Sequence, residues 1–363
     1  MKKTNKITTF TFVGFIAVFF LLLIVMPKSE FSEMENRNLA QMPKFTFERL
    51  FNGKFTSEFE EYVTDQFAFR DTWVGMKYFF EKALLKTENN GIYFGKDGYL
   101  MTKFVKPDES RLNINYGAVE KLSDSLDIPV KFSLIPMSSY VHADKLPHNA
   151  NPYNQQILLD RAAQMDEYFD LSQTLLAHKD EYIYYRTDHH WTSDGAYYAY
   201  EKICEEYGLA PVERTLRKEY ADFYGTLYSN AGARAVESDT VATFMLPQLE
   251  VTDENGQKRE VYDESFADKK DKYSVFFGGN PPLVVLDNTE IEDGEKLLLI
   301  KDSYSNSLAP YLTHNFDEVH MWDLRANKTS LSQYIAENGI TQVLVLYSTE
   351  NFASDTNIMF MSK

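Results

Sequence analysis

The stretch Lys296-Leu-Leu-Leu-Ile-Lys-Asp-Ser-Tyr-Ser-Asn306 decides the fold class. Its apolar run reads as a buried strand and stops abruptly at Asp302-Ser303. Residues 307–312 then read as the start of a helix, in which Pro310 is tolerable only in the first turn. A serine at a strand-to-helix corner has an exposed hydroxyl, and a helix N-terminus favours negative charge nearby. The same serine could instead serve as a helix cap.

Working outward, helical and strand patterns alternate. Residues 113–125 read as a helix, 130–135 as a buried strand, 155–179 as a long helix and 193–207 as another helix. Beyond the serine come strands at 318–322 and 343–347 with a helix at 330–338 between them. Strands separated by helices imply a mostly parallel sheet flanked by helices, an α/β fold, and active sites in such sheets lie at the carboxyl ends of strands. Ser303 stands at such an end. Residues 226–290 break the alternation with a turn at Asp253-Glu-Asn-Gly256 and read as a β-rich insertion, either a substrate wall or an inert surface element.

The chemistry-bearing partner to this serine is Tyr185-Arg-Thr-Asp-His-His-Trp-Thr-Ser-Asp194. In an extended segment residues i and i+2 share a face, so Asp188 can orient His190 while His189 points away. The carboxylate then holds one tautomer, and the free ring nitrogen takes a proton from a hydroxyl. A hydrogen-bonded turn leading into the helix at Ser193 is the plainer alternative.

Asp188-His-His-Trp191 is the signature of the DHHW proteins, which are similar to the alginate O-acetyltransferase family with its SGNH-hydrolase-like domain. Glu33-Met-Glu-Asn-Arg37, residues 65–70, Gly95-Lys-Asp-Gly-Tyr-Leu100, Gly279-Asn280, Asp302-Ser303 and Asp323-Leu-Arg325 follow in the order the resemblance implies. It implies Ser303 as nucleophile, His190 as base and Asp188 as orienting acid, in an acetyl transfer to a polysaccharide. Two departures stand out: the Asp/His pair precedes the serine, as in the alginate enzymes, and Lys301 replaces the glycine common before Asp-Ser in SGNH enzymes.

The chain begins with Lys2, Lys3 and Lys6, followed by twenty uncharged, mostly apolar residues, 7–26. That length matches the ~30 Å hydrocarbon core, and no small-residue cleavage site follows it. The reading is an uncleaved signal anchor with residues 1–6 cytoplasmic and the body outside. Residues 27–90 read as a helical stem, with a capping box at Ser57-Glu-Phe-Glu60 and aromatic residues of 73–85 packing on the domain. Residues 91–363 form the catalytic domain.

Net charge is −17, or −20 once the three leading lysines are set aside, which disfavours nucleic acid and anionic lipid as partners. The single cysteine, Cys204, cannot form an intramolecular disulfide. No zinc-site spacing appears, and no cofactor is expected. Among weaker candidates, Gly225 and Asn351 are oxyanion donors or turn residues, and Arg325 is a carboxylate or oxyanion partner or a surface ion pair. Trp191 stacks on a sugar or fills the core. The resulting expectation is an extracytoplasmic serine O-acyltransferase on a cell-surface or secreted glycan, supplied by a membrane-embedded acyl-group exporter. A carbohydrate esterase with the same residues and a non-catalytic glycan-binding protein are the alternatives.

Overall fold

The computed structural model describes residues 3–32, 34, 37–327 and 329–362. Lys2, Glu33, Glu35 and Asn36, on which parts of the sequence reading fall, lie outside them. The chain divides into two compact units, one of Met1–Lys86 with Gly232–Arg234, the other of Thr87–Ala231 and Ala235–Lys363.

In the first unit, α1 (Lys3–Val25) contains the segment Lys6–Val25, which is long and apolar enough to cross a membrane. Helices α2 (Lys54–Asp65) and α3 (Arg70–Ala83) follow. Arg37 forms a forked pair with Asp65 at 2.8 and 2.5 Å, and Ala40 N donates to the same carboxylate, so two of the segments behind the family resemblance meet here. The expected capping box is not one. Gly53, in the left-handed region, opens α2, and Ser57 lies inside the helix. Met76, Phe79, Phe80 and Leu84 are exposed rather than packed.

The second unit is built on a six-stranded sheet. Its strands are β1 (Val130–Ile135), β2 (Leu249–Asp253), β3 (Leu283–Asn288), β4 (Lys296–Lys301), β5 (Glu318–Trp322) and β6 (Gln342–Ser348), in the spatial order β1-β6-β4-β5-β3-β2. The pairs β1–β6, β6–β4 and β4–β5 are parallel, and β3 runs antiparallel to β5 and β2. The mostly parallel sheet flanked by helices is thus as expected. Alternation along β4 explains the double burial: Leu297 and Leu299 enter one apolar core with α5 (Ser193–Tyr207), while Leu298 and Ile300 enter the other with α4 (Glu109–Ser125) and α6 (Leu331–Asn338).

Two expectations change. The long helix over 155–179 is two short ones, Gln156–Ala162 and Ser172–Ala177. Between them the chain runs beside β1, with Phe132 N donating to Glu167 O and Phe169 N to Phe132 O; sheet pairing and burial of Phe169 outweigh helical propensity there. Residues 226–290 are not a separate excursion either, because β2 and β3 extend the main sheet. Their apolar residues Val251, Val284 and Leu286 join the same core as Leu297.

Candidate active site

Ser303 follows β4 and opens a short 3-10 turn, Ser303–Asn306, with Pro310 in the first turn of the helix Ala309–Leu312 just beyond. The capping role belongs to its neighbour. Asp302 accepts from Tyr304 N at 3.0 Å, from Ser348 N at 2.8 Å and from Asn351 Nδ2 at 2.8 Å. One carboxylate therefore ties the end of β4 to the end of β6 and to α7 (Thr349–Ser354). The serine itself is held at the carboxyl edge of the sheet and is nearly buried.

The histidine segment is a tight loop closed by a bridge between Tyr184 and Trp191. Asp239 shapes it by accepting from Arg186 N at 2.9 Å, Thr187 N at 2.7 Å and Thr187 Oγ1 at 2.5 Å. Asp188 and His190 do share a side, but not through a strand pleat. His190 N donates to Asp188 Oδ1 at 3.1 Å, an Asx-type turn that swings both side chains together.

The three expected residues form a continuous chain. His190 Nδ1 lies 2.6 Å from Asp188 Oδ1, and His190 Nε2 lies 2.8 Å from Ser303 Oγ. The carboxylate assigns the proton to Nδ1, which leaves the Nε2 lone pair facing the hydroxyl. The other Asp188 oxygen accepts from Thr226 N at 2.8 Å and Thr226 Oγ1 at 2.9 Å. Burial alone would raise the Asp188 carboxyl, but the two neighbouring imidazoles and these hydrogen bonds hold it far below the usual range. Burial, and secondarily the charge of His189, push His190 below its ordinary value despite Asp188, so its imidazole is neutral at pH 7. His189 is half-buried and bonds Thr226 Oγ1 at 2.8 Å through Nδ1.

Tyr273, which carried no signal in the sequence, packs flat on His190 with ring centres 3.9 Å apart and donates its hydroxyl to Ser303 O at 2.9 Å. Burial drives its phenol upward, which keeps it a donor. It fixes the imidazole plane and the serine backbone together.

The weaker candidates fall elsewhere. Gly225 N donates to Thr187 Oγ1 at 3.0 Å and is no oxyanion donor. The glycine is needed for close approach, since a Cβ there would sit 2.2 Å from Asp188 Cβ. Asn351 Nδ2 donates to Asp302, and Arg325 donates to Asp323 at 2.9 and 2.6 Å, so both are drawn into local pairs. Trp191 is fully buried and donates to Tyr304 O at 2.9 Å and Ser307 Oγ at 3.0 Å, which excludes sugar stacking. Lys301 is accommodated by a buried bond to Asn306 Oδ1 at 2.6 Å, with Asp323 4.0 Å away. Burial lowers its ammonium to about 8, against the pull of Asp323.

A different amide is free. Asn306 Nδ2 donates to Asn280 Oδ1 at 3.0 Å and to Gly279 O at 3.2 Å, and the Asn280 NH2 group has no acceptor among the described residues. Gly279-Asn280 was visible only as part of the resemblance; its link to the serine turn needs the fold. Asp188, His189 and His190 have ligand atoms within 4.8 Å of one another, close enough for a metal. Yet both Asp188 oxygens and His190 Nε2 are already engaged, and the arrangement suits proton relay.

Comparison with known proteins places this geometry. The DHHW protein family matches residues 166–322. The fold is similar to that of a DHHW family protein from Eubacterium siraeum, with a TM-score of 0.62 and 24% identity, over 75% of this chain and 95% of that one. It is similar also to Bacillus cereus PatB1, solved with a sulfonyl adduct, with a TM-score of 0.59 and 22% identity, over 75% of this chain and 99% of that one. Comparison with curated proteins gives no match. The resemblance read from Asp188-His-His-Trp191 is therefore borne out: residues 166–322 match the DHHW family, and the fold is the one these structures share.

Proposed function

We propose that the protein is an extracytoplasmic serine O-acyltransferase, anchored by α1, that moves an acetyl group onto a hydroxyl of a cell-surface or secreted polysaccharide. The observation that carries this reading is the unbroken Asp188–His190–Ser303 hydrogen-bond chain at the carboxyl edge of a parallel sheet. Ser303 Oγ attacks the acyl carbonyl as His190 Nε2 takes its proton. The Asn280 NH2 and the Ser303 N–H, the first of its turn, are the proposed oxyanion donors. The imidazolium returns its proton to the leaving group, and an ester remains on Ser303. A sugar hydroxyl then attacks that ester, gives its proton to Nε2, and Ser303 Oγ departs reprotonated.

A polysaccharide acceptor and a membrane-embedded acyl-group exporter are the proposed partners, since an exported domain has no soluble thioester supply. The apolar segment Lys6–Val25 after leading lysines supports the anchor and the outward orientation. Protease added to intact cells should digest the body; a protected body rejects the topology.

The test of chemistry uses the full chain in detergent with 4-nitrophenyl acetate and a panel of oligosaccharides, followed by mass spectrometry. Acetylated sugar and a Ser303 acetyl ester are expected, and both should vanish in Ser303→Ala. Free acetate alone would favour a carbohydrate esterase. A chain that never acylates would leave a glycan-binding role.

A further inference from the structure

A cavity of about 410 Å³ in the second unit shares α7 with the candidate active site and belongs to none of its machinery. Its walls include Lys103, Lys106 and Arg111 on one side and Glu350 and Ser354 of α7 on the other. The same short helix serves both places. Ser348 N and Asn351 Nδ2 clamp Asp302, the residue before Ser303, while Glu350, between them in sequence, faces the cavity.

Among the described residues, the Arg111, Glu350 and Lys106 side chains in this cavity have no partner. Arg111 has no hydrogen bond or ion pair among the described residues, and its Nη1 is buried and unsatisfied. Nearby acids that might have neutralised it are occupied: Asp108 caps α4 through Ser110 N at 2.8 Å, and Glu109 lies 4.0 Å from Arg161. The Glu350 side chain has no partner among the described residues either, although it lines the same space. Burial raises its carboxyl despite His189. Lys106 is exposed and unpaired among the described residues, whereas Lys103 is bound to Glu88 at 2.9 Å. A structural ion pair would have joined Arg111 to Glu350. A buried guanidinium nitrogen without an acceptor is costly, and the rest of the Arg111 side chain lines the cavity.

We infer that this cavity is the acceptor subsite and that it takes a sugar carrying an oxyanion substituent, a carboxylate or a phosphate. The inference rests on the proposed acyl transfer and names its substrate class. Arg111 presents the planar fork that matches either oxyanion, and Lys106 adds a second positive charge. Glu350 accepts from sugar hydroxyls, and exposed Val105 with Pro107 offers an apolar surface to the ring. On a chain of net charge −17, anions are repelled at large, so these cations mark one place where an acidic glycan is held.

The experiment measures binding by calorimetry to the full-length Ser303→Ala chain in detergent, so a failed transferase reading leaves this readout intact. The probes are an oligogalacturonate, a phosphorylated malto-oligosaccharide and a neutral malto-oligosaccharide of equal length. At least one acidic probe should bind tenfold or more tightly than the neutral one, and which of the two does so identifies the oxyanion. Arg111→Gln should bring that preference within threefold, Arg111→Lys should keep part of it, and Lys106→Ala, at an exposed position, should weaken it several-fold. Equal binding of all three probes, no binding of either acidic one, or a preference unchanged by Arg111→Gln and Lys106→Ala would each overturn the inference.

Discussion

Two buried carboxylates flank the site, Asp188 and Asp302, and they do opposite work. Asp188 faces two imidazoles and two donors of Thr226; its charge is matched to a proton that arrives on His190. Asp302 faces only amide donors, from Tyr304, Ser348 and Asn351, and its charge is matched to backbone and helix. The first acid tunes chemistry and the second fixes position. Similar burial and the same residue type separate into two roles because of what each oxygen touches.

Replacing each acid by its amide should break the pair apart. Asp188→Asn keeps the shape but favours the wrong imidazole tautomer, and acyl transfer should fall by about 10⁴-fold. Its thermal midpoint should move far less than its rate. In Asp302→Asn an NH2 group is turned toward amide donors, which should cost about 3 kcal/mol of stability, with a smaller loss of rate. Denaturation of the two variants side by side, with 4-nitrophenyl acetate turnover, checks both. Equal rate losses would erase the distinction.

Gly225→Ala sharpens it further. The added Cβ collides with the Asp188 side chain without removing any charge. Displacement of about 1 Å should lower turnover by about 10²-fold, read as kcat with little change in acceptor binding. The smallest effect is pH dependence. The proposed base is neutral His190, whose value is lowered by burial, so the active form should persist below pH 6.5 and be lost as pH falls through the lowered value. Rates at pH 7 and 8 should therefore agree within about twofold, and an acid limb centred above pH 6.5 would contradict the buried environment.

How far this was legible in the sequence depends on the range of the cause. The run Leu297–Ile300 and the corner at Asp302-Ser303 are local signals, and both the strand and the turn appear where residue pattern puts them. Asp188, His190 and Ser303 were named from residue type and resemblance, and the fold brings them together. The break within 155–179 was not legible, because its cause is Phe132, a residue on another strand. Nor were the pairings of Gly225, Asn351 and Arg325 with Thr187, Asp302 and Asp323, which form only after folding. Tyr273 and Asn280 carry no pattern of their own. Their use follows from contacts across 30 and 26 positions with Ser303 and Asn306.

The order of strands has a consequence for how the protein is born. β1 is made first, yet its ladder partner, β6, is the last strand of the sheet, and β6 also lies between β1 and β4. Until residues 342–348 emerge, β1 has only the short Glu167–Phe169 segment against one edge, and β4 has β5 on one edge and nothing on the other. Such non-local pairing folds slowly and leaves bare edges waiting. The loop of His190 and the turn of Ser303 both hang from this sheet, and the clamp on Asp302 comes from Ser348 itself. A chain that stops short of Ser348 thus lacks a donor that holds Asp302, and the turn of Ser303 is pinned only with the closing strand.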